Sequence, residues 1–420
     1  MTSTGAGRLD VALWDCSLDV SALAWDSVQA VVEATRTLAI ARGINETVTT
    51  TPSLVASAFG AIEHLRVDGR EPQAWAPLSG FFAASDGWVR LHGNYPHHAQ
   101  AIIAAFGASE RADLERVLAQ VPAAQIEDTV TAHRGIATVV RTEQEWQAHE
   151  HGVATQGEGW AQVSPAGERP ELGSAATPLD GIRVLDLTRV IAGPTCSQLL
   201  ACLGADVLRI DPPHRPEILD QHLSNGMGKR SAELDLRSEA THLRQELLPH
   251  ADVVLLGYRP GALTPFGLDP QTLSSDRPDL VIASLSAWGE GGPWAERAGF
   301  DSIVQAASGI AMRCGTPQSP GALPVQALDH ASGYRMAAAV VSLLGQARGG
   351  VARISLLGAA RELLLAGPAG KRQVPASTAQ TVQVASPHGR LTAVPPPLTI
   401  GGRTLEMPVG GYAAASPQWR

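Results

Sequence analysis

Beyond about residue 179, apolar positions stop following a helical period and gather into short unbroken runs: RVLDL at 183–187, DVLRI at 206–210, DVVLL at 252–256 and LVIASL at 280–285. Helical segments at 194–203 and 237–248 separate them. Continuous apolar strands alternating with helices predict an α/β domain over 179–365, a doubly wound parallel sheet covered on both faces. The pattern upstream is mixed. Residues 24–42 predict a helix closed by Gly43, and 52–66 a second with Pro52 in its first turn. Phe81–Ser85 and Trp88–His92 around Asp86-Gly87 predict a β-hairpin with a type I′ turn. Further helices are expected at 97–106, 110–120 and 143–150, so residues 1–165 read as a smaller α+β region. Val163–Pro178 has no apolar period and many helix and strand breakers, which predicts a linker, placed at 166–178. From Ala366 onward Pro, Gly, Ser, Thr and Gln dominate, predicting a partly loose tail over 366–420 with one weak hairpin at Leu398–Met407.

Composition narrows the partners. The chain has 420 residues, 44% of them hydrophobic and 17% charged, a globular profile long enough for two domains. A net charge of −9, with no basic stripe or cluster, argues against nucleic-acid and membrane partners. The start, Met1–Cys16, lacks a basic stretch followed by an apolar core, and no apolar run is long enough to span a bilayer, so a cytoplasmic protein is expected. The four cysteines form no CxxC pair and read as structural thiols. No metal site is expected, because His97-His98 has no third ligand at useful spacing.

Two places carry candidate chemistry. The unit from Val184 to Asp211 mimics a dinucleotide-binding βαβ, yet its loop Thr188–Gly193 holds one glycine where that fingerprint needs three, which argues against a nicotinamide cofactor. The second is Asp329, followed by His330-Ala331-Ser332-Gly333. An aspartate there serves either as the N-cap of a helix running through Met336–Leu344 or as a nucleophile. His330 reads as a polar neighbour.

The run PLDGIRVLDLTRVIAGPTCSQLLACLGADVLRID, followed by GKRSAELDLR, ADVVLLGYRPGALTPFGL, RPDLVIASLSAWGEGGPW, GFDSIVQAASGI and ALDHASG, resembles the class III CoA-transferases, which include formyl-CoA and carnitine CoA-transferases and, as a relative, α-methylacyl-CoA racemase. The resemblance implies a Rossmann-like CoA-binding domain and an aspartyl nucleophile in an Asp-x-x-x-Gly turn leading into a helix, matched by Asp329 and Gly333. It further implies that Val190, Ile191 and Ala192, Leu234 to Arg237, and Tyr258 with Arg259 touch CoA, and that Ala298 to Asp301, including Phe300, line the cleft. An acyl-CoA and a small carboxylic acid would be the substrates, with no permanently bound cofactor, and a homodimer the assembly.

The chain also departs from the family's pattern. Pro212 and Pro265 stand where formyl-CoA transferase has basic residues, leaving Arg209, Arg215, Arg237 or Arg259 to meet phosphate; a solvated Arg237 fits equally well. Gly299-Phe300-Asp301 replaces the racemase branch's Gly-His-Asp, and phenylalanine moves no proton. Residues 80–165 resemble the family's small domain, which normally follows the Rossmann-like half, so the order reads as permuted. A CoA-transferase is the leading expectation, with an acyl-CoA racemase or isomerase, or a non-catalytic CoA-ester-binding paralogue, as alternatives.

Overall fold

A computed structural model describes residues 9–73, 75–316, 318–370, 372–375 and 378–420; the first eight residues of the start read above for a leader lie outside them. The alternating half builds a seven-stranded sheet. Its order is Ala161–Glu168, Arg348–Ser355, Val281–Ser286, Val253–Leu256, Arg183–Leu187, Asp206–Asp211, Arg230–Glu233. All neighbours pair in parallel except Ala161–Glu168, which runs antiparallel at one edge. The chain adds two strands on one side of Arg183–Leu187, then returns to its other side for the next three, so the topology reverses there.

Burial explains the unbroken apolar runs. Val184, Val207, Val253 and Val281 enter one hydrophobic cluster, while their neighbours Leu185, Leu208, Val254 and Ile282 enter another on the opposite face. Both faces are covered, so positions of either parity are mostly apolar, and the exceptions, Asp186 and Arg209, are buried in ion pairs with Lys229 and Asp211. Two strands escaped the pattern. RSAE at Arg230–Glu233 is short and polar, and RGGVARIS at Arg348–Ser355 opens on a glycine pair. Those glycines are sterically required: a Cβ on Gly349 would stand 2.2 Å from the Pro278 carbonyl oxygen, and one on Gly350 2.5 Å from that of Ser164.

Three expectations change. Residues 161–168, read partly as linker, form the antiparallel edge strand, and Arg42 holds the stretch behind it by donating to the carbonyls of Gly173 (2.8 Å), Pro178 (3.0 Å) and Asp180 (2.9 Å). The tail read as loose carries paired strands at Val382–Ser386 and Gly389–Ala393, and Val384, Leu391 and Val409 share a buried cluster with Leu65, Leu223 and Met227. Its strands are too short to outweigh the Pro and Gly between them in a composition count. The hairpin Gly80–Ala83 and Trp88–Leu91 forms, but a four-residue loop replaces the type I′ turn, and neither Asp86 nor Gly87 has positive φ. Asp86 instead accepts from the Ala123 backbone N–H at 2.8 Å.

The upstream residues divide. The helix Val20–Ala41, N-capped by Asp19, packs in the same cluster as the helix Ala327–Gly345. Residues 78–139 have their own core around Phe82, Leu91, Ile102, Leu114 and Ile126, made by a three-stranded sheet and helices that include Pro96–Phe106. Glu127 ties this unit to the larger body through Arg297, at 2.7 Å.

Candidate active site

The topological reversal leaves a crevice at the carboxyl ends of the parallel strands, the place where open α/β sheets bind ligands. A cavity of about 500 Å³ occupies it. Strand-end loops supply Arg189, Val190 and Ala192, then Pro212 and Arg215, then Leu236 and Arg237, then Tyr258 and Arg259, and finally Ser286. Val190 holds φ +71°, a left-handed conformation that a β-branched side chain rarely adopts. Glu217 over-determines it. This fully buried carboxylate accepts from the Val190 N–H at 2.9 Å and from Arg209 at 3.1 Å, and it receives the Tyr95 hydroxyl. Tyr95 opens the helix Pro96–Phe106 of the smaller unit, so the strained loop is fixed from both bodies at once.

Asp329 reaches the cavity from the other side. It is the third residue of the helix Ala327–Gly345; the cap position belongs to Gln326, and the Asp329 side chain makes no capping bond. Both the N-cap reading and the picture of a turn leading into a helix are thereby corrected, since the whole Asp-x-x-x-Gly motif lies inside the helix. Its glycine has a packing cause. A Cβ on Gly333 would lie 2.4 Å from the Ala192 carbonyl oxygen and 2.8 Å from Thr195 Cβ, so only glycine lets this helix close on the Val190 loop and the helix behind it.

The Asp329 carboxyl is buried and makes no ion pair or side-chain hydrogen bond among the described residues. Burial, reinforced by the neighbouring Asp301 carboxyl, holds its pKa well above the usual carboxylate range. Asp301 lies beneath it, fully buried; Oδ2 accepts from the Asp329 N–H at 3.0 Å and Oδ1 takes the Gln305 amide. Burial raises Asp301 to about 6 despite those donors. His330 is buried too, pushed down to about 3, and contacts the Thr195 hydroxyl at 3.3 Å, so it stands neutral.

Of the residues singled out from sequence, Val190, Ala192, Arg237, Tyr258, Arg259, Phe300 and Asp329 line this cavity. Ile191 lines a second cavity instead. Leu234 turns into the core, and Asp301 is sealed under Asp329. Arg209 is withdrawn from any phosphate by buried ion pairs with Asp211 (2.8 Å) and Glu217 (3.1 Å). Arg237 is exposed and pairs with Asp235 at 2.9 Å, whereas Arg215 and Arg259 make no ion pair among the described residues. Sequence reasoning missed the wall supplied by the smaller unit: Tyr95, His97, His98 and Ile136. No local signal placed them there, because their position depends on docking between the two bodies. No helix among the described residues is long and apolar enough to cross a membrane.

The profile described as "CoA-transferase family III" matches residues 179–389. A probable fatty acyl-CoA transferase of Mycobacterium tuberculosis is 40% identical over 195 residues, 43% of this chain and 50% of that protein. Succinyl-CoA--D-citramalate CoA-transferase of Chloroflexus aurantiacus is 38% identical over 156 residues, 34% of this chain and 39% of the relative. Succinate--glutarate CoA-transferase of Agrobacterium fabrum is 34% identical over 194 residues, 41% of this chain and 48% of the relative. The chain thus spans about half the length, or less, of the curated relatives it matches. A crystal structure of the Mycobacterium tuberculosis protein superposes with a TM-score of 0.41 at 36% identity, covering 45% of this chain and 57% of that one.

Proposed function

The chain belongs to CoA-transferase family III, and from that premise we propose that it exchanges CoA between an acyl-CoA and a carboxylic acid, with Asp329 as nucleophile. One observation carries the reading: a buried carboxyl that has no cation or donor of its own among the described residues opens onto the crevice at the sheet's carboxyl ends. Such a carboxylate is costly in its ionised state and strongly basic, and forming a neutral ester or anhydride bond relieves that cost.

The steps follow from the group. The Asp329 carboxylate attacks the thioester carbonyl, expelling CoA thiolate and leaving a mixed anhydride. The thiolate attacks the aspartyl carbonyl, releasing the donor acid as carboxylate and leaving an aspartyl-CoA thioester. An acceptor carboxylate then attacks this thioester, and the returning thiolate takes the acceptor acyl group, regenerating the Asp329 carboxylate. Every proton and charge balances without an external acid or base.

Arg215 and Arg259, at the rim and without an ion pair among the described residues, suit CoA phosphates, and Tyr258 supplies an apolar wall. Residues 78–139 would be the counterpart of the family's small domain, placed ahead of the doubly wound half. Two of the relatives named above, the citramalate and glutarate CoA-transferases, support small organic acids as partners, and the family resemblance supports a homodimer, which light scattering on the eluting protein tests. For the chemistry the test is incubation with a panel of acyl-CoAs, then hydroxylamine and mass spectrometry. A hydroxamate at Asp329 is the expected product; its absence with every donor tried would overturn the reading.

A further inference from the structure

Asp329 borders a second cavity of about 340 Å³, which shares the Val190 loop with the first and is otherwise walled largely by the smaller unit and by residues 322–326. Tyr95, Val190, Phe300 and Asp329 line both cavities, so the proposed nucleophile stands at their junction. If CoA fills the first, the acyl group or acceptor acid belongs in the second.

Among the polar residues that line that second cavity is a buried cation, Arg90, on the strand Trp88–Leu91 of the smaller unit. It is only 8% exposed, and its guanidinium makes neither an ion pair nor a hydrogen bond among the described residues; the buried Nε is left without a partner. The Trp75 and Phe81 rings lie 5.0 and 4.7 Å from the guanidinium carbon. They engage the cation's π-facing charge but accept none of its N–H donors. The surrounding charges do not neutralise it. Asp301 attracts Arg90 from a distance, yet its oxygens are occupied by the Asp329 N–H and Gln305. Arg111 repels it. His92 is held neutral by burial, and at the rim Asp220 is committed to Arg70 at 2.6 Å while Glu63 faces solvent. A buried guanidinium with unmet donors is costly unless an anion completes it, and a carboxylate matches its fork geometry.

Resting on the CoA-transfer reading, we propose that Arg90 binds the distal carboxylate of a dicarboxylic substrate whose other carboxyl is exchanged at Asp329. A dicarboxylic acid, or its CoA monoester, would then be the substrate class. Monocarboxylic acids of the same length leave the guanidinium unpaired.

The test compares matched acceptors, succinate against butyrate and glutarate against valerate, on the unaltered full chain and on Arg90→Gln, with hydroxylamine trapping at Asp329 run in parallel. The unaltered chain should favour each dicarboxylate in kcat/KM by roughly a hundredfold, because a site built for a polar group rejects the analogue lacking it. In Arg90→Gln that ratio should fall towards one, mostly through KM. A hydroxamate at Asp329 without any preference for dicarboxylates in the unaltered chain would overturn the Arg90 assignment and leave CoA transfer standing. That comparison needs no variant, so a misfolded Arg90→Gln would not shield the proposal. If no donor gives a hydroxamate, the CoA-transfer reading fails; calorimetric titration with succinate then decides Arg90 separately, and equal binding to both proteins would overturn its role.

Discussion

Glu217→Gln removes one negative charge from beneath the Val190 loop while keeping the side chain's size. Burial alone would raise the Glu217 pKa, but the guanidiniums of Arg209 and Arg189, the Tyr95 hydroxyl and the Val190 N–H outweigh it and bring it from 4.5 to about 2. At about 1.4 kcal/mol per unit, ionised Glu217 contributes roughly 3 kcal/mol to stability at neutral pH. Breaking a buried ion pair from one side costs about 3–5 kcal/mol, so the two routes agree. The sign is set by a depressed pKa: the contribution is complete above the unfolded value of 4.5 and is lost as pH falls through about 2. Urea unfolding of both proteins should therefore show a gap of about 3 kcal/mol at neutral pH that narrows once pH drops below 4.5. The released Val190 loop should also weaken CoA binding in calorimetry. A variant within about 1 kcal/mol of the parent at neutral pH, or a gap that stays constant on acidification, would refute the argument.

Asp329→Asn should abolish CoA transfer, and because the amide removes a carboxyl whose ionised form burial disfavours, the melting temperature at neutral pH should hold or rise; a folded variant transferring CoA at the parent rate would remove Asp329 as nucleophile. As the raised Asp329 pKa implies, kcat/KM should climb with pH along a limb displaced above the ordinary carboxylate range, and Asp301→Asn should move that limb downward by deleting the neighbouring carboxyl. Gly333→Ala should cost about 1–3 kcal/mol in denaturant unfolding, because its Cβ meets the backbone at Ala192. Replacing Arg215 and Arg259 together by alanine should raise the Kd for CoA by roughly a hundredfold or less in titration calorimetry, with dephospho-CoA affected less than CoA if either arginine meets the ribose phosphate.

The order of short apolar runs and helices was enough to determine a doubly wound parallel sheet, because a strand buried on both faces is apolar at most positions of either parity, and Val184 beside Leu185 displays that directly. The motif around Asp329 was equally legible, since residue type and spacing survive without coordinates. What the sequence could not show is anything decided by contact between distant segments. Asp329 inside a helix, not capping it, follows from Gln326 taking the cap. Gly333 is required by the Ala192 carbonyl, far from it along the chain. The stretch 161–168 is ordered because Gly350 admits it beside Arg348–Ser355, and the tail because Val384, Leu391 and Val409 find apolar partners at Leu65 and Met227. Arg90 and Tyr95 read as ordinary residues of a hairpin and a helix start until the smaller unit docks, which puts one against the second cavity and the other on Glu217. Local pattern records what a residue needs from its own element; which charge it meets across an interface is fixed only when the bodies close, since electrostatic and packing terms depend on distances that no spacing along the chain encodes.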